Sequence, residues 1–269
     1  MTDTSAKSEQ SFESSSDAIF GGRLILTQPA RGYRFSVDAP LLVAFAASGS
    51  EAQLCADLGA GCGVVGLGLL AAGAANRVVA VEIQPRLANC CRINAAANSP
   101  AGRFELIEGD LRESAASLAT ESFDLITINP PFWPSGSGRL PENDERRNAC
   151  HELLVSLEEW VAVARNLIHP RRGRCCVVFP ARRLDDLLLA FARNNLSGTR
   201  LRPVYPRAGE PAELVLVEAR WGGAGRLVVE PPLVLAGADG GATKETQKLL
   251  DGQFSKILRS LPDRRTGSA

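Results

Sequence analysis

Asn129-Pro130-Pro131-Phe132 closes the apolar run Phe123-Asp124-Leu125-Ile126-Thr127-Ile128, whose Ile, Leu and Phe content reads as a buried strand. The strand must stop there, because the two prolines have no N–H to pair and restrict the residues before them. An amide, two rigid prolines and an aromatic ring are thereby presented together at a strand's carboxyl end, where ligands bind in open α/β sheets. Over four residues, a loop that merely contains two prolines reads equally well. A second motif upstream tips the balance.

That motif is Asp57-Leu58-Gly59-Ala60-Gly61-Cys62-Gly63. Its glycines let the backbone turn tightly out of a strand and approach a ligand with no Cβ in the way. The helix that follows offers unpaired N–H groups and the positive end of its dipole. Gly61-x-Gly63-x-x-Gly66 also matches the dinucleotide fingerprint, which is weak by itself. Glu82 ends the next strand, 19 positions after Gly63 (82 − 63), where a carboxylate can hold both hydroxyls of a ribose. Asp110 follows the third strand and could accept from the exocyclic amine of an adenine. Asp57 would repel a pyrophosphate but suits an ammonium group. S-adenosylmethionine fits this charge pattern better than a nicotinamide dinucleotide.

These residues need a scaffold, and the chain supplies a regular one. Strands are expected at 53–58, 77–82, 103–108 and 123–128, with helices at 64–72 and 85–97 and a polar helix running from Asp110 to about 119. Short connections between alternating strands and helices imply a parallel sheet wrapped on both faces. A helix at 154–168, a strand at 174–179 and a helix at 184–193 continue the pattern. Strands near 200–204 and 213–219 read as an antiparallel pair closing the sheet, and 226–235 adds an extended piece. Near the start, 23–28 reads as a short strand, and Ser36 or Asp38 is expected to cap a helix with Pro40 in its first turn. The polar segment 135–147 is long for a loop in a compact domain, which usually signals function or motion.

Composition bounds the alternatives. The 269 residues are 45% hydrophobic with a formal net charge of +0, which argues against bulk-charge coating of nucleic acid while leaving room for a local basic face. Residues 1–17 are polar and read as a disordered tail, 18–236 as the folded domain, and 237–269 as a polar extension with a candidate helix at 243–261. With neither a membrane-length apolar run nor a signal segment, a cytoplasmic protein is expected. The 7 cysteines include two adjacent pairs and no C-x-x-C spacing, so free thiols are expected rather than a metal site or a redox centre. His151 and His169 lack a cysteine–histidine constellation, and no metal is expected.

The chain resembles the class I methyltransferases with an Asn-Pro-Pro-aromatic site, and within them the bacterial group that methylates the adenine exocyclic amine in valine tRNA. The resemblance runs from about Gly32 to Leu235. It rests on Gly32-Tyr33-Arg34-Phe35-Ser36-Val37-Asp38, the glycine turn, Glu82, Asn129-Pro130-Pro131-Phe132-Trp133, Ala149 with Glu152, 214–218 and Pro231-Pro232-Leu233. It implies a Rossmann-like fold: a seven-stranded, mostly parallel sheet with an antiparallel C-terminal strand pair and helices on both faces.

The resemblance also implies residue roles. Gly59, Ala60, Gly61 and Gly63 would line the methionine part of the cofactor, with Asp57 near its ammonium and Ser36 and Asp38 closing over it. Glu82 would hold the ribose, Ile83 would pack on the adenine, and Asp110 with Leu111 would reach its amine. The Asn129 side-chain carbonyl and the Pro130 carbonyl would each accept one N–H of a planar amine, freeing its lone pair, while Phe132 stacks on the base. Trp133, Arg139 and Arg147 would face the acceptor, expected to be RNA and most readily tRNA. Further candidates for an RNA surface are Arg146 and the runs Arg171, Arg172, Arg174 and Arg182, Arg183. A glutamine-amide methyltransferase of the release-factor type, a silent cofactor-binding module and a nicotinamide-dependent oxidoreductase are the competing readings. The short stretch before Asp57 disfavours the first of these. Oligomeric state stays open.

Overall fold

In the computed structural model, residues 14–30, 34–99, 101–118, 122–131, 155–222 and 226–254 are described. Phe132, Trp133, Arg139, Arg146 and Arg147 lie outside them, as do Gly32, Tyr33, Ala149, His151, Glu152 and the segment 135–147.

Alternation of apolar strands with helices winds the chain into a central sheet. β3 (Ala52–Leu58), β4 (Ala75–Glu82), β5 (Phe104–Glu108), β6 (Leu125–Ile128) and β7 (Arg174–Pro180) are parallel, in the spatial order β5-β4-β3-β6-β7. β9 (Leu214–Trp221) then pairs antiparallel with both β7 and β8 (Leu196–Arg207). These seven strands are the sheet expected from sequence. Two short pieces, β10 (Val228–Val229) and β11 (Leu233–Ala236), extend it by pairing parallel with β8. The reversal of strand order at β3 and β6 creates the crevice in which open α/β sheets bind ligands.

Helices cover both faces. α1 (Asp38–Ala47), α2 (Val64–Ala71) and α3 (Pro85–Asn98) pack on one; α4 (Leu111–Leu118), α5 (Leu157–Leu167) and α6 (Leu184–Arg193) pack on the other. α5 starts at a capping box in which the Ser156 hydroxyl accepts from the Glu159 N–H while the Glu159 carboxylate accepts from the Ser156 N–H. β6 is buried along its whole length, so its residues read as a continuous apolar run rather than an alternation.

Three local expectations differ from the structure. Against the disorder that composition predicts through residue 17, β1 (Ser14–Ile19) pairs antiparallel with β2 (Leu24–Pro29). Its polar residues are held by backbone pairing and by Asp17, which accepts from Gln28 and Arg34. Neither Ser36 nor Asp38 caps α1. The N-cap is Val37, without a side-chain hydrogen bond, because the Ser36 hydroxyl is directed to the Asp38 carboxylate instead. The third difference is the extension after residue 236. It carries α7 (Lys244–Leu250), capped by the Thr243 hydroxyl, and it is not separate from the core. Leu249 and Phe254 are buried in the same cluster as α1 and α2, and the Phe254 ring meets Phe20 edge-on with centroids 4.9 Å apart.

Six of the cysteines are free and buried. No helix among the described residues is long and apolar enough to cross a membrane.

Leu249 is 2% exposed, so Leu249→Ala should lower unfolding free energy by about 2–5 kcal/mol, the usual cost of a cavity at a closed core position. Urea denaturation of the full chain checks this.

Candidate active site

β3 and β6 are parallel neighbours with Leu58 opposite Ile128. Gly59 and Asn129 therefore leave the sheet at the same height, and the two sequence motifs open into one cavity. Asp57, Gly59, Ala60, Gly61, Cys62, Val64, Val65 and Asn129 line it, together with Phe35 and Ala39 from the segment entering α1. The cavity opens to solvent at its mouth. Asn129 is half-buried and Pro130 buried beside it.

The glycine turn is shaped by backbone conformation. Gly59, Gly61 and Gly63 have φ of +68°, +58° and +85°, the left-handed region in which side chains other than glycine's are strained. Gly59 is needed for space as well: a Cβ there would lie 2.5 Å from Cη2 of Trp160 on α5.

Asp57 is 2% exposed. Its Oδ2 accepts the Gly66 N–H at 2.9 Å and its Oδ1 accepts the Thr127 hydroxyl at 2.8 Å. Burial pushes its pKa up from 3.8 to about 6, against the pull of those two hydrogen bonds. Since the folded chain binds this proton more tightly than the unfolded chain does, Asp57 lowers stability as pH rises from 3.8 to about 6.

Glu82 is also buried, and burial pushes its carboxyl up. Its Oε2 accepts the Gly61 N–H at 2.7 Å and its Oε1 the Gln84 N–H at 2.8 Å. It thus braces the glycine turn, with acceptor capacity left on both oxygens. Beyond it, Ile83 is a large apolar side chain left 36% exposed.

Asp110 accepts the Arg112 N–H at 2.8 Å, as a helix cap does, and the Arg112 guanidinium at 2.9 Å. That hydrogen-bonded guanidinium holds its carboxyl below the usual range. Leu111 is buried. Ser36 and Asp38 bond to each other and do not line the cavity. Phe35 and Ala39, to which the sequence assigns no role at the cofactor, do. The signal was the aromatic inside the Tyr-Arg-Phe-Ser segment, one position before the residue singled out. Cys62 also lines the cavity, but burial pushes its thiol up to about 12, so it is neutral and inert near pH 7.

The structure sorts the candidate arginines by sheet edge. β7 runs parallel to β6 with Arg174 opposite Leu125, so Arg171, Arg172 and Arg174 lie at the amino edge, away from Asn129. Arg174 is fully buried, donating to the Ser50 carbonyl at 2.7 Å beside Glu218. Arg172 pairs with Asp124. Arg182 and Arg183 follow the carboxyl end of β7, on the edge shared with the cavity. Of the first run, Arg174 is thereby removed from the expected RNA surface by its burial. Among the described residues no group of three or more His, Cys, Asp or Glu side chains could hold a metal.

The sequence profile of the methyltransferase small domain matches residues 38–163. A protein of Porphyromonas gingivalis strain W83, named tRNA1(Val) (adenine(37)-N6)-methyltransferase, is 35% identical over 200 residues, covering 72% of this chain and 77% of the relative. One of the same name from Aeromonas salmonicida is 29% identical over 185 residues, covering 68% and 75%. The chain belongs to this methyltransferase family. Its fold is shared with a predicted O-methyltransferase, protein Atu636 of Agrobacterium tumefaciens, at a TM-score of 0.64 and 24% identity over 81% of this chain and 97% of that one.

The methyltransferase takes S-adenosylmethionine as methyl donor, and the cavity suits it: a turn whose three glycines carry no Cβ, a buried carboxylate beside it and a second acid at the next strand end. In this enzyme Gly59→Ala adds left-handed strain of about 1–2 kcal/mol and a collision with Trp160. A melting point at least several degrees below the parent's is the expected outcome in a thermal scan.

Proposed function

We propose that the enzyme methylates the exocyclic amine of an adenine in RNA, tRNA being the acceptor class, and works in the cytoplasm. The observation that carries this reading is the common cavity of Asn129 and the glycine turn; the names of the relatives support the acceptor.

An aromatic amine is a poor nucleophile because its lone pair is delocalised into the ring. The Asn129 side-chain carbonyl and the Pro130 main-chain carbonyl each accept one N–H, biasing the nitrogen towards a pyramidal form. The reacting base must leave its stack to reach them. Phe132 offers a stacking face, and Trp133, Arg139 and Arg147 flank it in sequence. Asp57 faces the ammonium of the cofactor, Glu82 its ribose, Ile83 and Leu111 its adenine and Asp110 the adenine amine. Bound there, S-adenosylmethionine supplies a methyl group on a sulfonium. Much of the rate then comes from alignment, because the nitrogen must lie in line with the departing C–S bond.

Arg182 is exposed beyond the carboxyl end of β7, on the sheet edge where the cavity opens, and is proposed as a phosphate contact. Methylation of total RNA from a strain lacking the protein, followed by mass mapping of the modified nucleoside, tests the function. N6-methyladenosine is expected, and methylated release factor without methylated RNA would overturn it.

Three quantitative outcomes accompany that test. Asn129→Ala should lower kcat by about 10^2–10^3, the usual cost of removing one preorganised transition-state contact. Arg182→Ala should raise KM for RNA and reduce the salt slope of binding by about one, whereas Arg172→Ala should leave that slope unchanged. S-adenosylhomocysteine carries the same ammonium, so its binding favours ionised Asp57. Calorimetry should show affinity flat above pH 7 and falling by about tenfold per unit below the Asp57 pKa of about 6.

A further inference from the structure

Phe35 reaches the cavity on a segment that the N-terminal hairpin grips. Gln28 on β2 is 2% exposed. Its Oε1 accepts the Phe35 main-chain N–H at 3.1 Å, and its Nε2 donates to Asp17 Oδ2 on β1 at 2.7 Å. The same Asp17 oxygen accepts from Arg34 at 2.9 Å, and Arg34 donates to the Ser15 hydroxyl at 2.6 Å. Both strands of the hairpin therefore hold the residues at and immediately before Phe35.

The hairpin is docked in turn by two asparagines of α3. Asn94 accepts the Thr27 N–H at 2.7 Å and donates to the Thr27 carbonyl at 2.9 Å; Asn98 accepts the Ile25 N–H at 3.0 Å and donates to the Ile25 carbonyl at 2.9 Å. The fit is geometric. Residues four apart on a helix rise about 6 Å, and residues two apart on a strand rise about 6.8 Å. Two side-chain amides thus replace a neighbouring strand along the edge of β2, satisfying backbone groups that an open edge would leave unpaired. Asn94, itself buried, makes one further bond: its Nδ2 also donates to the Cys62 carbonyl at 2.9 Å. Cys62 lies within the glycine turn, so a single amide joins the hairpin to that wall of the cavity, while Gln28 joins the hairpin to Phe35.

We infer that Gln28 and Asn94 are positioning residues for the cofactor cavity, holding Phe35 and the glycine turn in register through the hairpin between them. Neither side chain touches the reacting atoms. Their effect is on the shape into which the cofactor fits, and it is read in cofactor affinity.

The test is the Kd for S-adenosylhomocysteine, measured by calorimetry on the full chain beside the melting temperature. Gln28→Glu sets a carboxylate against Asp17 and removes the donor, and a Kd about tenfold weaker is expected. Combining it with Asp17→Asn restores a donor, since the new amide at 17 donates to the new carboxylate at 28, which still accepts the Phe35 N–H, while the oxygen that met Arg34 is lost. The double variant should recover part of the lost affinity. Asn94→Asp keeps the acceptor for Thr27 and loses the donor to Cys62, and it should weaken Kd about tenfold. Asn98→Asp makes the same change one helical turn away with no bond to the glycine turn, and should leave Kd within twofold.

An unchanged Kd in Gln28→Glu, no recovery in the double variant, or equal losses in the Asn94 and Asn98 variants would overturn the inference. So would melting temperatures that fall while Kd stays constant, since a purely structural role predicts that. If Gln28→Glu does not fold, the Asn94 and Asn98 pair carries the test. A parent protein that fails to bind S-adenosylhomocysteine would instead count against the cofactor assignment.

Discussion

One buried carboxylate ties the parts of the site together. Asp57 sits where β3 ends, and its two oxygens meet the Gly66 N–H at the start of α2 and the Thr127 hydroxyl on β6. Thr127 is paired across the strands with Asp57 and lies two residues before Asn129. The same group therefore sets the glycine turn and the strand that delivers the Asn-Pro-Pro site. Keeping a carboxylate out of water costs free energy, seen here in its raised pKa, and the two hydrogen bonds offset only part of that cost. A group held under such tension is suited to receive a cation, because a bound ammonium relieves the desolvation that burial imposes.

Glycine conformations around this acid are fixed by space on both sides. A Cβ at Gly66 would stand 3.2 Å from Asp57 Oδ2 and 2.8 Å from Val78, and one at Gly63 would stand 2.9 Å from the Cys91 sulfur. The turn is as tight towards the protein as it must be open towards a ligand. Glu82 closes it from the next strand by accepting the Gly61 N–H. The geometry of the turn thus depends on two buried carboxylates.

The antiparallel strands beside β7 carry a different kind of electrostatics. Glu218 on β9 is met by Arg220 at 3.2 Å and by Arg174 and Arg200 at 3.8 Å each, with Thr199 donating at 3.1 Å. Buried ion pairs of this kind add little net stability, yet losing one partner leaves an uncompensated charge. They register the antiparallel strands against β7, in the row that runs through Cys176 and Thr127 to Asp57. Arg202, bonded to the Pro231 carbonyl and to Glu245, ties the segment beyond the sheet to the same region.

Local pattern made the strand–helix alternation, the glycine turn and the Asn-Pro-Pro strand tip legible in the sequence, because periodicity, glycine and proline act over a few neighbouring residues. Asp57, Glu82 and Asn129 were readable for the same reason: each follows an apolar run that ends in a turn. The remainder depended on partners distant in sequence. A Ser-rich segment became β1 through pairing with β2, Arg174 went inside because Glu218 lies across the sheet, and Leu249 and Phe254 were drawn into the core of residues far upstream. Phe35, rather than Ser36 or Asp38, reached the cavity because Gln28 and Asn94 set its approach. Sequence alone determined which groups stand at the strand ends, since local sterics dictate that. Which of them face one another was decided only by tertiary packing, where burial and long-range hydrogen bonds choose among conformations that the local chain permits equally.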